Sequence, residues 1–475
     1  MICLNFKQDE KHKVLNQQQH FAVPAGVSSI SFQVEEQPNM WLTCMVYDEK
    51  QQLRGQYMNI TKQPFVIHED PEKTSPNTVY GTIHEGQWTV DIGIFAKEEV
   101  EASAKWCTLS ISFNELDTVL QPNAYHWQTP DQAVFDLQAF QSNKVIQERS
   151  KWYKGDFHTH TIYSDGKMTR EENMESANNQ GLDFFVATDH NIVPTSWFAE
   201  TDILVIPGVE VTSPLGHYNI IDTKKSPFSD NRMHDLLSEE GMNRIIHDDY
   251  GDALTSVNHP FLTEWKWLLQ ETPLLSIDSI EICNDPTYPD NEHATNLALQ
   301  AWSILLNDGY RITGIGGSDS HMKPEETYEG STEPSLIGDP GTFVYGNELS
   351  AKEIVRQIRQ GHVVVSRGEF IDFCAGEYMA GDTCERRSGK AMAQVLTDEA
   401  IYFEWILDGE VVHTEYGTES SYEFQLDNDY HWLRVDVRYI DGTFYGFTNP
   451  LYFGEKPTTM TKWGELLQRM KESNS

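Results

Sequence analysis

Hydrophobic and polar positions alternate with a period of two near the start of the chain. Ile30, Phe32 and Val34 share one face of residues 28–35, and residues 88–95 and 107–113 repeat the pattern between turns rich in Pro, Gly and Asn. Such alternation predicts half-buried strands, so residues 1–150 are expected to form a β-rich sandwich. At about residue 151 the rhythm changes. Short apolar runs at 182–188, 203–206, 218–221, 253–257, 277–282, 312–315 and 342–345 are separated by stretches with helical signals. Thr169 with Glu172 and Ser350 with Glu353 read as capping boxes; Met174 with Ala177 and Ile354 with Ile358 supply apolar stripes, and Gly181 and Gly361 are stop signals. Continuous apolar strands between helices predict a parallel sheet and an α/β class. The polar residues fall at the carboxyl ends of the strands, which favours a closed or distorted β/α barrel over an open doubly wound sheet across 151–368. Beyond 369 the period of two returns. Ile401, Phe403, Trp405 and Leu407 precede an Asp408-Gly409 turn, and Leu433, Val435, Val437 and Tyr439 precede Asp441-Gly442, predicting a second sandwich over 369–456. Trp463, Leu466, Leu467 and Met470 stand at helical spacing, which makes 457–475 a docking helix or tail.

Length and charge narrow the function classes. A chain of 475 residues is long enough for roughly three domains of ~150 residues. Its 35 basic and 73 acidic residues give a net charge of −38, a field that repels phosphate backbones and anionic bilayers, so neither nucleic acid nor membrane is expected as a partner. There is no apolar run of about 18 residues and no basic-then-apolar leader, so a cytoplasmic protein is expected. The six cysteines, Cys3, Cys44, Cys107, Cys283, Cys374 and Cys384, show no Cys-x-x-Cys pairing and read as reduced packing thiols. No Gly-x-Gly-x-x-Gly or Gly-Lys-Ser/Thr loop supports a dinucleotide or P-loop site. His20, His68, His84 and His126 are scattered through the first region and read as structural or exposed.

The chemistry is concentrated at strand ends. If 154–160 is a strand, His158 and His160 project from one face, which is half of a metal site. Further candidates follow in order: Asp165, His190, Glu210, His217, His259, Asp319 and His321. Imidazoles with carboxylates suit zinc, manganese or iron, and the set is too large for one tetrahedral ion, so two or three divalent metal ions are expected. Asp165 also fits a simple Asp-Gly turn, and Asp189 fits a residue that orients a histidine.

His158-Thr159-His160-Thr161 with Ser164-Asp165-Gly166, Thr188-Asp189-His190, Pro207-Gly208-Val209-Glu210-Val211-Thr212 with Gly216-His217, Asn258-His259-Pro260, and Gly317-Ser318-Asp319-Ser320-His321 resemble the successive motifs of the PHP (polymerase and histidinol phosphatase) superfamily, and within it the CehA/McbA-like metallohydrolases. The resemblance spans about 151–367. It implies a distorted seven-stranded (β/α)7 barrel that holds two or three ions (Mn, Zn or Fe) and hydrolyses phosphate esters. It further implies that His158, His160, Glu210 and Asp319 hold one ion and that Asp165, His190, His259 and His321 serve its neighbours, with Glu210 bridging. Asp165 stands where some relatives have His. The expected reaction is attack of a metal-bound hydroxide on a small-molecule phosphate ester, with His321, or failing it His217, handling protons. Lys167, Arg170 and Asn284 are the candidate substrate-binding residues. Carboxylic ester, carbamate or amide hydrolysis by the same cluster is the rival reaction, and a non-catalytic binding protein on the same scaffold is the rival class. The sequence carries no signal for oligomeric state.

Overall fold

The computed structural model describes residues 1–7, 14–36, 40–58, 64–96, 106–129, 132–199 and 201–473. Alternating residues at the start of the chain form two four-stranded sheets. Ile2–Lys7, Trp106–Phe113, Ser29–Glu36 and Phe65–His68 make one, and Val14–Val23, Gly86–Ala96, Met40–Tyr47 and Leu53–Met58 make the other, all antiparallel. Ile30, Phe32 and Ile111 from the first sheet share a core with Trp88, Val90 and Ile92 from the second, and all six are fully buried. The residues that follow lie across the middle of the molecule. Ala124–His126 pairs with Ser196–Phe198, and Trp127, Leu137 and Phe140 join the central core.

The middle of the chain builds one side of a 14-stranded sheet. Lys151–Asp156, Phe184–Ala187 and Leu204–Ser213 run parallel, as do Leu254–Val257, Ser279–Asn284 and Thr313–Gly317. The expectation of an all-parallel sheet is corrected in two places. Gly216–Ile221 lies antiparallel between the two parallel sets because only Pro214 and Leu215 separate it from Leu204–Ser213, and a two-residue link can join only antiparallel strands. Gly341–Gly346 lies antiparallel to Lys151–Asp156 on its other edge.

The far ends of this run approach each other. The Thr342 hydroxyl accepts from the Gly316 amide at 3.0 Å and donates to the Gly316 carbonyl at 2.7 Å. Beyond the strand ends, the Asp319 amide donates to the His158 carbonyl at 2.8 Å, and Thr159 bridges Ser320 in parallel. The sheet therefore curls, bringing its first and last motif-bearing strands side by side.

The helices obey their sequence signals. Thr169 and Glu172 form a reciprocal capping box at the start of Arg170–Asn179. Ser350 accepts from the Glu353 amide at the start of Ala351–Gln360, but the Glu353 carboxylate takes the Asn347 amide instead of closing a second box. That helix ends at Gly361, φ +76°. Among the described residues no helix is long and apolar enough to cross a membrane.

The same sheet continues beyond residue 346 through Val363–Ser366, Phe444–Thr448, His431–Tyr439, Ile401–Leu407 and Glu410–Tyr416. A smaller sheet of Tyr378–Met379, Ile371–Ala375, Ser388–Val395 and Glu419–Gln425 shares a core with it through Phe373, Phe403, Trp405, Val435 and Val437. The final helix, Trp463–Ser473, buries Trp463, Leu466 and Met470, and the Arg469 guanidinium lies 3.0 Å from the Asp308 carboxylate.

Candidate metal centre

Lys151–Asp156 ends two residues before His158, earlier than the alternation suggested. The buried Asp156 carboxylate is the reason. It takes the amides of His158 and Ser318 at 3.0 Å and of Gly338 at 2.7 Å, substituting for a ladder partner and tying three segments to one side chain. The Thr159–Ser320 bridge keeps the stretch extended, and the His158 and His160 rings stand 5.0 Å apart. The loop after them is held by Asp189. Its carboxylate accepts from the Thr161 amide and hydroxyl at 2.7 Å and from the Ser164 hydroxyl at 2.6 Å, and Ser164 lies 3.4 Å from His160 Nδ1.

All nine side chains singled out at strand ends meet. Ligand-type atoms of His160, Asp165, His190 and His321 lie within 4.8 Å of one another, as do those of His158, Glu210 and His259, of His158, His160 and Asp319, and of His190, Glu210 and His217. Glu210 is central, with His158 at 3.1 Å, His217 at 3.0 Å, His190 at 2.6 Å and His259 at 3.3 Å. His217 belongs to this group because its hairpin folds it back onto Glu210. The backbone is left-handed at His259, φ +26°, and at Asp319, φ +48°, a strain of order 1–3 kcal/mol per residue of the kind that clusters at functional sites.

The contacts within the cluster are short but badly aligned. His158 Nε2, His160 Nε2, Asp165 Oδ1, Glu210 Oε2, His217 Nε2, His259 Nδ1 and Asp319 Oδ1 are buried and make no hydrogen bond, although His160 Nε2 is 3.0 Å from Asp319 Oδ1 and His158 Nε2 is 3.3 Å from it. Buried polar atoms are ordinarily paired. Donor atoms about 2.1 Å from a common ion stand about 3.0–3.4 Å apart at octahedral to tetrahedral angles, which is the spacing observed. The residues present therefore fit divalent cations.

The electrostatics agree. Burial alone would raise the carboxyls of Glu210, Asp165 and Asp319, yet the surrounding histidines hold all three well below the ordinary range. Burial would lower His158 and His190, yet Asp319 and Glu210 in the first case and Asp165 and Glu210 in the second push them well up. His321 is raised to about 9 by Asp165 and Asp319 against its own burial. His160 and His217 go the other way, to about 3 and about 4, chiefly by burial. This is a buried anionic group that draws in positive charge.

Two supporting residues carry no role in the sequence reading. Glu281, buried mid-strand, places Oε1 3.0 Å from His158 Nδ1 and accepts the His259 amide on Oε2 at 2.8 Å, so one carboxylate orients two members of the cluster. Asn258 donates to Glu210 at 2.9 Å and to Asn219 at 2.8 Å. The only sequence signal for Glu281 is a lone charge inside the apolar run Ile280-Glu281-Ile282-Cys283. Of the candidate substrate contacts, Asn284 donates to Asp319 at 3.1 Å, whereas Lys167 pairs with Glu326 at 3.0 Å on the surface. Arg170 stacks on Trp197 and Tyr163 and makes no hydrogen bond with the cluster.

No family model matches the chain, and no curated protein matches it. Among solved structures it is similar to a two-domain protein from Bacteroides vulgatus containing a predicted PHP-like metal-dependent phosphoesterase, at 17% identity and a TM-score of 0.37, covering 64% of this chain and 96% of that one. It is similar to a candidate metal-dependent phosphoesterase from Bifidobacterium adolescentis at 13% identity and a TM-score of 0.24, covering 39% and 93%. It is also similar to an amidohydrolase from Chromobacterium violaceum at 14% identity and a TM-score of 0.23, covering 36% and 89%. Likenesses this slight carry no argument about what the chain does.

Proposed function

We propose that the chain is a metal-dependent hydrolase of the PHP barrel type, acting on phosphate esters of small molecules. The observation that supports this reading is the set of five buried, unpartnered atoms that face one another in the cluster, His158 Nε2, His160 Nε2, Asp165 Oδ1, Glu210 Oε2 and Asp319 Oδ1. Such a set is costly unless cations fill it. His158, His160 and Asp319, with Glu210 against His158, would hold one ion, and Asp165, His190, His259 and His321 would serve one or two more, of manganese, zinc or iron. Bound there, the ions supply Lewis acidity that brings a water to near-neutral pKa and offsets charge on the leaving oxygen.

The chain's own groups do the rest. Glu281 and Asn258 fix His158 and Glu210. His321, with a side chain 22% exposed, is more open than His217 at 4%. Its Nδ1 donates to the Asp319 carbonyl at 2.7 Å, which leaves Nε2 either to hold an ion or to carry a proton to a leaving oxygen, but not both at once. His217 stays neutral and can accept a proton at its unpartnered Nε2.

The test is a metal assay of the purified protein followed by a substrate panel. Turnover of phosphate esters that disappears on chelation, returns with manganese or zinc and collapses in His158→Ala is the expected result. Exclusive turnover of aryl esters or carbamates would move the reading to a carbonyl hydrolase. No affinity for manganese, zinc or iron would leave a binding protein on this scaffold.

A further inference from the structure

Arg170 is buried, 9% exposed, in a chain with 73 acidic residues, yet among the described residues it makes no ion pair and no side-chain hydrogen bond. Other buried arginines have carboxylate partners: Arg434 with Asp436 at 2.8 Å and Arg54 with Asp48 at 3.8 Å. The Arg170 guanidinium instead lies 4.2 Å from the centre of the Trp197 ring and 5.3 Å from that of Tyr163, and its Nε is buried without a partner. Asp189 is near enough to feel its charge, but that carboxylate is already taken by Thr161 and Ser164. Burying a cation this way is costly unless something pairs with it. Stacking between two aromatic rings fixes the plane of the fork without using its N–H groups.

A second unsatisfied group feels its charge. His126, in Ala124–His126 opposite Ser196, has both ring nitrogens buried without partners. Burial and the Arg170 charge hold its imidazole down at about 4, so it is neutral and carries one N–H without an acceptor. Arg170 is tied to the metal centre through its helix and through the Tyr163 ring it lies over. Arg170 opens the helix whose Asn173 donates to the His160 carbonyl at 3.2 Å, and Tyr163 is two positions from Asp165.

We propose that Arg170, whose charge His126 feels, grips a second acidic group of the substrate, a carboxylate or phosphate distinct from the ester at the cluster. The substrate class is then a phosphate ester bearing a further acid. This rests on the phosphoesterase reading, and the guanidinium fork suits either oxyanion.

Two measurements test it. In the first, kcat/KM is compared for 4-nitrophenyl phosphate and for phosphoglycolate, 3-phosphoglycerate and fructose 1,6-bisphosphate. The wild-type protein should favour at least one of the doubly acidic esters, and Arg170→Met should cut that preference at least ten-fold through KM, with Arg170→Lys between the two. A preference unchanged by Arg170→Met, or an equal fall in kcat for every ester, would overturn the proposal in favour of a packing role over Trp197. In the second, the same esters are titrated calorimetrically into His158→Ala and into His158→Ala with Arg170→Met. Binding that is at least ten-fold weaker in the double variant supports the proposal even if no phosphate ester is turned over. Equal binding, or none in either, refutes it.

Discussion

Replacing Glu281 by glutamine keeps volume and shape and removes one charge from beneath the metal centre. The carboxylate accepts from two donors at once: His158 Nδ1 at 3.0 Å and the His259 amide at 2.8 Å. A glutamine has one acceptor oxygen for those two positions, so either orientation of its amide sets an NH2 group against an N–H. His158 then loses the contact that fixes its ring with Nε2 toward Glu210 and Asp319, and one charge-assisted hydrogen bond goes with it. Losing such an outer partner of a ligating histidine typically costs 10–100-fold in metal affinity, or about 1.4–2.7 kcal/mol. Competition titrations of manganese and zinc against a chelator of known affinity measure this directly. The rise in Tm on adding metal should shrink in parallel, because stabilisation by a ligand follows its affinity. A Glu281→Gln variant with Kd values within two-fold of wild type would refute the orienting role.

Three further outcomes are expected. In chelated protein, the raised His321 should stabilise the fold below its ordinary pKa of about 6.5 and lose that contribution as pH rises through about 9, a fall of up to about 3 kcal/mol; denaturant unfolding at pH 6 and pH 9.5 that shows no fall would contradict it. Asp189→Ala strands the Thr161 amide and two hydroxyls and should cost about 2–4 kcal/mol with weakened metal binding, whereas Asp189→Asn, whose one oxygen can still accept from the Thr161 amide and Ser164 hydroxyl while its NH2 donates to the Thr161 hydroxyl, should cost clearly less; equal losses by thermal denaturation would count against the loop-holding role. Gly317→Ala would set a Cβ 2.5 Å from His158 Cβ and 2.6 Å from Glu281 Oε1. It should cost about 1–3 kcal/mol in overpacking and lower metal content, and a full metal complement by elemental analysis would show that the centre tolerates the shift.

The strands and the positions of the clustered side chains were legible because each rests on a local signal. Ile30, Phe32 and Val34 alternate, Thr169 and Glu172 cap a helix, and His158 to His321 fall where apolar runs end. What was not legible depends on partners distant in sequence. The antiparallel place of Gly216–Ile221 follows from the two-residue Pro214-Leu215 link, whose meaning appears only once the runs on both sides are known to be paired strands. The early end of Lys151–Asp156 comes from Asp156 binding amides of residues 318 and 338, which no local window contains. Glu281 sits in mid-strand instead of at an end, and Arg170 owes its surroundings to Trp197 and to the strand that Trp197 pairs with.

Val363–Ser366 is hydrogen-bonded to Gly341–Gly346 on one side and to Phe444–Thr448 on the other. The ladder thus passes unbroken from the motif-bearing strands into the carboxyl-terminal layers, and no exposed seam separates them. Those two parts are therefore expected to melt in one calorimetric transition, with the amides of Val363–Ser366 among the slowest to exchange with deuterated solvent. Cutting the gene at this point to obtain a minimal catalytic fragment would leave a raw sheet edge prone to aggregation.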